Sequence, residues 1–297
     1  MFSNRLDDLF HQALDAIDAG DLHALERLLR EHPELVQERL TKPGKWLRDQ
    51  IGPALRGFFK DPYLLWFVSE DVPRQRTLPA NIVDLTRAII DAAKRERVES
   101  LQEQLDFTMR LVAWSGIAAE CGVQIPLLEA LIDAGARPGG DADSALVNGH
   151  VQAAEYLLAR GGTLSLGTAL CLDRWEDVPQ LYAAADVAER RMAFVLAALN
   201  GKAESLRRMI ALGADVNAPS QDLYAHGTPL HHAVCSGSLE AVQALVEAGA
   251  GVNTPDTAWH GSPFGWANHY TEEARDDERR RRYDAIAKYL SSISTRT

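Results

Sequence analysis

The chain has 297 residues, 46% of them hydrophobic, and a formal net charge of −11. This length and composition are typical of one extended globular domain or two conventional ones. The acidic charge argues against nucleic acid as a partner, because most of the surface would repel phosphates. No apolar run approaches the roughly 20 residues needed to cross a bilayer, so we expect no integral membrane contact.

The N-terminal residues and the cysteines favour a reducing compartment. Acidic residues interrupt the opening stretch MFSNRLDDLFHQALDAIDAG, where a signal peptide needs a continuous apolar run. Three cysteines, an odd number in a long chain, fit a protein without a disulfide framework. We therefore expect a cytoplasmic protein.

A helix-pair pattern begins near the N-terminus. In AIDAGDLHALERLLREHP one helix ends at Gly20, and the next carries Leu22, Leu25, Leu28 and Leu29 at helical spacing. Copies of the pattern follow along the chain, each with a residue that ends the first helix, here called the glycine position. These residues are Gly20, Val72, Val123, Gly149, Asp173, Gly201, Gly237 and Thr271.

Four residues before each glycine position lies a residue that is almost always alanine. A small residue is needed where a helix packs closely between two neighbouring helix pairs. The pattern therefore predicts an all-α stack, an α-solenoid of about eight helix-pair repeats. The alanine-position residues are Ala16, Val68, Ala119, Ala145, Ala169, Ala197, Ala233 and Ala267.

Two inserts interrupt the stack in its N-terminal part. Residues 41–60 carry five basic residues against the single acid Asp49. Within this insert, Gly52 and Pro53 predict a break in any helix. The second insert, SEDVPRQRTLPAN at residues 69–81, lengthens a loop within the second unit.

Three aromatic residues of the first insert are candidates for partner contact: Trp46, Phe58 and Phe59. Their apolar bulk favours packing over the first repeats. Together with the neighbouring basic side chains, they also allow peripheral binding to an anionic membrane surface.

The C-terminal third contains two related phrases, HGTPLHHAV from His226 and HGSPFGWAN from His260. The first resembles the ankyrin repeat, whose signature T-P-L-H-x-A precedes two antiparallel helices. The resemblance implies a helical stack with β-hairpin fingers that binds other proteins. It also implies that His231 ties the turn to its helix by hydrogen bonds. The positions marked as structural are Thr228, Pro229, Leu230, His231, Ala233, Gly237 and Gly249.

The uneven spacing of the glycine positions predicts an uneven stack. The middle units are too short for fingers, so we expect fingers only between Ala214 and Thr228 and between Ala250 and Ser262. We predict one solenoid over residues 1–297. Its predicted parts are a capping repeat at 1–40, an insert-bearing repeat at 41–106, short repeats without fingers at 107–200, best-matching repeats at 192–256 and a second cap at 257–297.

An apolar column lies two residues before the glycine position. If the short units let their inner helices pack more deeply, this column is buried, which is the interpretation that we favour. The alternative is an apolar concave groove for a partner helix. The column consists of Cys121, Val147, Cys171, Leu199 and Cys235.

The finger tips supply the second set of candidate partner-binding residues. Tyr224 and His226 lie on one finger, and Trp259 and His260 lie on the other. Exposed aromatic side chains are enriched at binding hot spots. They also pack on one another between adjacent fingers, and the sequence leaves both possibilities open.

No motif of a catalytic or cofactor site occurs. The chain has no G-x-S-x-G, P-loop, dinucleotide glycine fingerprint or H-E-x-x-H. Histidines cluster near the C-terminus, but we expect no metal site; a pair such as His226 and His231 is the open alternative. We predict a monomeric, non-enzymatic scaffold for another protein. A hidden enzyme within residues 41–100 is the remaining alternative.

Overall fold

A computed structural model describes residues 5–294, and in this range the chain is helical with no β-strand. The chain divides into two compact units, residues 1–163 and 164–297. The all-α expectation is confirmed. The extent of a single solenoid and its internal boundaries stay predictions.

The helices of the first unit lie in two rows. They are α1 (Arg5–Asp18), α2 (Leu22–Glu31), α3 (Glu34–Gln37), α4 (Lys45–Leu55), a 3-10 helix (Leu64–Ser69), α5 (Ile82–Arg95), α6 (Leu101–Trp114), α7 (Gly116–Glu120), α8 (Gln124–Ala134), α9 (Asp141–Val147) and α10 (Val151–Ala159). One row packs α1, the 3-10 helix, α6 and α9 in that order, and the other packs α2, α5, α8 and α10. Each helix contacts its neighbours in its own row, as in a layered stack.

The second unit repeats this arrangement with fewer interruptions. It contains α11 (Leu166–Cys171), α12 (Val178–Ala184), α13 (Val187–Leu199), α14 (Ala203–Ala211), α15 (Pro229–Ser236), α16 (Leu239–Glu247), α17 (Pro263–Glu273) and α18 (Asp277–Ser294). One row packs α11, α13, α15 and α17, and α14, α16 and α18 pack in the other. Leu206, Leu230 and Leu245 are fully buried in the core between these layers.

The ends of the first helices explain why alanine and glycine recur. The glycine-position residue takes a left-handed conformation, with φ of 69° at Gly20 and 64° at Gly201. The next N–H then donates to the alanine carbonyl, as from Lys202 to Ala197 at 2.9 Å. This pattern is the Schellman cap, and glycine adopts its left-handed turn without steric cost. The same bond joins Asp21 to Ala16, Val123 to Ala118, His150 to Ala145 and Arg174 to Ala169.

Three units depart from the register predicted from sequence. In the third unit, Gly122 takes the left-handed conformation and Ala118 is buried, one residue before the predicted positions. In the second, the 3-10 helix ends at left-handed Glu70 rather than at Val72. In the eighth, Thr271 lies inside α17 and ends no helix.

The predicted β-hairpin fingers are loops. The segments between α14 and α15 and between α16 and α17 contain turns and bends, with no strand. Their backbone N–H groups are satisfied in part by side chains: Ser220 Oγ accepts from Asp222 and Leu223, and Asp256 accepts from residues of its own loop. Side-chain acceptors of this kind replace the ladder of a hairpin.

The first insert forms α4, which is kinked at Ile51 beside Gly52 and Pro53 (φ −126°, ψ 21°). Its start is fixed to α1, because Asp7 Oδ1 accepts from the Gly44 N–H at 2.6 Å and from Trp46 Nε1 at 3.0 Å. The insert is therefore packed structure rather than an extended arm.

A buried ionic cluster holds the second insert. Arg74 donates to both oxygens of Asp18, at 2.9 and 2.8 Å, and its Nη2 lies 3.3 Å from Glu70 Oε2. Glu70 Oε1 accepts the backbone N–H groups of Arg74, Gln75 and Arg76. The side chains of Arg74 and Glu70 are almost fully buried. This cluster ties the loop after the 3-10 helix to the end of α1.

Candidate functional site

The two C-terminal loops lie side by side and are hydrogen-bonded to each other. The Thr257 N–H donates to the His226 carbonyl at 2.9 Å, and the Gly251 N–H donates to Asn217 Oδ1 at 2.9 Å. Each bond joins one loop to the next. The loops therefore form one continuous surface at the edge of the second unit.

Asp256 organises the second loop from within. Its Oδ1 accepts the N–H groups of Ala258 (2.8 Å) and Trp259 (2.6 Å). Its Oδ2 accepts the Gly261 N–H at 2.8 Å and Trp266 Nε1 at 3.0 Å. Burial opposes ionisation of this carboxyl, but these donors outweigh burial, so the pKa of Asp256 lies far below its usual range.

His231 joins the two loops to α15. Its Nδ1 accepts the Thr228 N–H at 3.1 Å and lies 2.8 Å from Thr228 Oγ1. Its Nε2 lies 3.0 Å from the Gly261 carbonyl, which only accepts, so the ring carries its proton on Nε2. Thr228 and His231 thus form a capping box for α15. Pro229, Leu230 and Ala233 are buried behind this turn, and Gly237 and Gly249 are left-handed at helix ends.

The four predicted finger-tip residues are brought together only in part. His226 packs edge-on against Trp259, with ring centroids 5.0 Å apart, and lies 6.1 Å from Tyr224. Trp259 nevertheless stays 70% exposed and Tyr224 38%. His260 is exposed and left-handed, with φ of 57°. The rings therefore pack on one another and still leave an exposed aromatic surface.

A pocket of about 500 Å³ opens beside this surface. The Trp259 and Trp266 centroids are 6.0 Å apart at 61°, and those of Trp266 and Tyr270 are 6.3 Å apart at 74°. Tyr270 is fixed from behind, because it stacks on Tyr283 at 5.0 Å and its hydroxyl donates to Cys235 Sγ at 3.3 Å. We call this site the aromatic pocket; it is lined by Trp259, Gly261, Gly265, Trp266, His269 and Tyr270.

Four side chains of the site were not among the candidates from sequence: those of Asp256, Trp266, His269 and Tyr270. Trp266 and Tyr270 are four residues apart, and this spacing on a predicted helix places two aromatic side chains on one face. That signal was available in the sequence. The role of Asp256 was not, because it depends on the path of the loop.

The aromatic candidates of the first insert have different environments. Phe59 is only 1% exposed and packs edge-on against Phe67 at 5.1 Å, so it belongs to the core and is not a contact residue. Trp46 is half-buried and stacks on His11 at 4.3 Å. Phe58 is 60% exposed. The insert thus presents one strongly exposed aromatic ring.

The apolar column is neither uniformly buried nor an open groove. Cys171 is fully buried, whereas Val147, Leu199 and Cys235 are half-buried. Cys121 is exposed because it directly precedes left-handed Gly122, so it lies outside the column. The one-residue shift in the third unit accounts for this difference.

Buried histidines give the site a pH dependence. Burial and the nearby His226 and His231 lower the pKa of His232 to about 4, and burial also lowers the pKa of His231. Nε2 of His232 has no hydrogen-bond partner within the part of the chain that the structure describes. A histidine in the unfolded chain has a pKa near 6.5. Between about pH 6.5 and 4 it is therefore largely protonated in the unfolded chain, while His232 of the folded chain stays largely neutral.

We therefore expect stability to be lost as the pH falls from about 6.5 towards 4. Between pH 7.5 and 5, His232 should lower the free energy of unfolding by about 2 kcal/mol. Urea denaturation of wild type and His232→Leu at both pH values measures this. Burial raises the pKa of Asp71 to about 6, which acts in the opposite direction, but this contribution is common to both proteins. Equal pH dependence in the two would contradict the prediction.

The described residues, 5–294, contain neither a metal site nor a membrane span. Within this range, no group of three or more His, Cys, Asp or Glu side chains is placed to hold a metal ion. None of the helices described is long and apolar enough to cross a membrane.

A family-model match agrees with the repeat architecture in part of the second half of the chain. Residues 173–256 match the family model for ankyrin repeats, in three copies. This part of the chain thus contains ankyrin repeats, as its sequence indicates, and ankyrin repeats are protein-interaction modules. Among solved structures, it is similar to the human ASB11 ankyrin repeat domain, with 16% identity, a TM-score of 0.33, and 66% of this chain and 92% of that chain covered. No curated protein matches the sequence.

Proposed function

We propose that this chain is a non-enzymatic cytoplasmic scaffold that binds another protein through its two C-terminal loops and the adjoining aromatic pocket. The supporting observation is the exposed aromatic surface of Tyr224, His226 and Trp259, held on a hydrogen-bonded base. Interface hot spots are enriched in Trp and Tyr placed beside pockets. His260, which follows Trp259 in the chain, is also exposed.

Rigidity supports the same proposal. Asp256 and His231 form hydrogen bonds with backbone groups of the loops. These bonds fix the loops in the absence of a partner. A preorganised surface loses less conformational entropy on binding than a mobile one. The loops are thus better suited to binding than their lack of secondary structure suggests.

A Tyr224→Ala/Trp259→Ala double variant should lose its partner. Truncating hot-spot side chains costs about 2 kcal/mol or more, so affinity should fall about 30-fold or more. The chain is immobilised, exposed to extract from its native cells, and the bound proteins are quantified by mass spectrometry. Partners that wild type enriches should be depleted by the variant.

The control is a Val187→Ala/Leu212→Ala double variant, which removes two exposed apolar side chains elsewhere in the second unit. It should retain the partners. Circular dichroism confirms that both variants are folded. Equal recovery by wild type and the Tyr224/Trp259 variant would exclude this surface.

Peripheral membrane binding through residues 41–60 has less support. Trp46 packs on α1 and Phe59 is buried, so only Phe58 offers a strongly exposed ring beside the exposed basic residues Arg56 and Lys60. The alternative of an enzyme within residues 41–100 gains no support from the buried Glu70–Arg74–Asp18 cluster, whose bonds fix the second insert.

A further inference from the structure

The aromatic pocket has walls of a particular kind. Trp259 and Tyr270 each pack edge-to-face against Trp266, and all three rings line the pocket. Gly261 allows this close approach: a Cβ at this position would lie 3.0 Å from Trp266 Cδ1 and 3.1 Å from Asp256 Oδ2. The faces of aromatic rings carry partial negative charge and attract cations.

The acidic residues of the surrounding sequence also favour a cation in the aromatic pocket. Residues 209–274, which include both loops and α17, have no lysine or arginine and seven acidic residues, whereas Arg275 and the run Arg279–Arg282 follow before and on α18. The residues that line the pocket do not include these arginines. One of the acidic residues, Asp256, is 1% exposed and accepts the Trp266 indole N–H at 3.0 Å. A carboxylate behind an indole increases the electron density of its ring and adds negative potential. An anionic ligand is therefore disfavoured here, and a cation is favoured.

The hydrogen bonds that Asp256 already accepts determine which kind of cation the aromatic pocket can bind. Both oxygens of Asp256 already accept two N–H groups each, so this carboxylate has little capacity left for a ligand. A lysine ammonium or an arginine guanidinium brings several N–H donors that would lose water without gaining acceptors. An alkylated ammonium carries the charge with fewer donors or none, and aromatic faces bind it well.

We propose that the aromatic pocket binds an alkylated ammonium group, presented by the partner as a methylated lysine side chain. This inference rests on the proposed function, because it identifies the group that the partner inserts. Trp259 supplies the exposed wall, and Trp266 and Tyr270 supply the fixed walls. The pocket's volume of about 500 Å³ is within the range of small-ligand sites.

The test uses three small probes and the full chain. They are Nα-acetyl-trimethyllysine amide, its neutral isostere with carbon in place of the charged nitrogen, and Nα-acetyl-lysine amide. Binding is followed by tryptophan fluorescence and by calorimetry. The trimethylated probe should bind saturably, and the other two should bind about tenfold more weakly or worse. Equal binding of the neutral isostere, stronger binding of unmodified lysine, or no binding of the trimethylated probe would each overturn the inference.

Variants locate the binding. Trp259→Ala removes a largely exposed ring and should abolish binding of the trimethylated probe, while Trp259→Phe should retain part of it. Trp175→Ala removes a tryptophan elsewhere in the second unit and should leave probe affinity unchanged. If Trp259→Ala binds the probe as wild type does, the assignment to this pocket is wrong.

The two proposals fail in different ways. Partner recovery that depends on Tyr224 and Trp259, with no affinity for the trimethylated probe, refutes the ammonium site and leaves the scaffold proposal intact. Probe binding at Trp259, with partner recovery unaffected by the double variant, refutes the scaffold surface.

Discussion

Replacing Asp256 by alanine should lower the free energy of unfolding by about 3 kcal/mol, because four partly buried donors lose their shared acceptor. These donors are the N–H groups of Ala258, Trp259 and Gly261 and the indole N–H of Trp266. Urea denaturation followed by far-UV circular dichroism measures the loss. Tryptophan fluorescence of the native state should also change, since both Trp259 and Trp266 lose their anchor.

Asp222→Ala is the matched control. It removes the same charge from the neighbouring loop, where the Asp222 side chain is exposed, and should change stability by less than about 0.5 kcal/mol. Asp256→Asn should cost nearly as much as alanine, because its amide group brings donors to a site filled with donors. An Asp256→Ala variant as stable as Asp222→Ala would show that the loop is held by other contacts.

Arg74→Ala should destabilise the protein by about 3 to 5 kcal/mol, because it leaves buried carboxylates without their cation. The Glu70 side chain is almost fully buried, and Asp18 loses the guanidinium that contacts both of its carboxylate oxygens. Differential scanning calorimetry and urea denaturation at pH 7 measure the effect.

Arg76→Ala is the control for Arg74. Its side chain is exposed, and its contribution to the cluster is the backbone N–H that donates to Glu70, which alanine keeps. We expect a change of less than about 0.5 kcal/mol. If Arg74→Ala is tolerated as well as Arg76→Ala, the ionic cluster does not stabilise the second insert.

The recurrent part of this fold could be predicted from sequence, because local rules fix it. Alanine at the close packing point and a left-handed residue four positions later specify the Schellman cap at Ala16, Ala145, Ala169 and Ala197. Asp173 is left-handed with φ of 56°, so the cap does not require glycine. Spacing alone failed where side-chain hydrogen bonds fix the turn, as at Glu70, whose carboxylate accepts three backbone N–H groups within the second insert.

Much of the site could not be predicted, for a physical reason. Whether Phe58 or Phe59 faces the core is decided by tertiary packing against Phe67, and neighbouring residues in a sequence carry no such information. The fingers were predicted as strands because the resemblance implied them, yet Ser220 and Asp256 supply acceptors that make a ladder unnecessary. The pairing of Trp266 with Tyr270 is visible as helical spacing, but the pocket also needs Trp259 and Gly261 of the second loop.

Helix α17 carries two walls of the aromatic pocket, Trp266 and Tyr270. It packs on α15, and its partner α18 packs on α16. A ligand held against the two rings would therefore add contacts to this helix layer. If the ammonium proposal is right, saturating trimethylated probe should raise the free energy of unfolding of the chain.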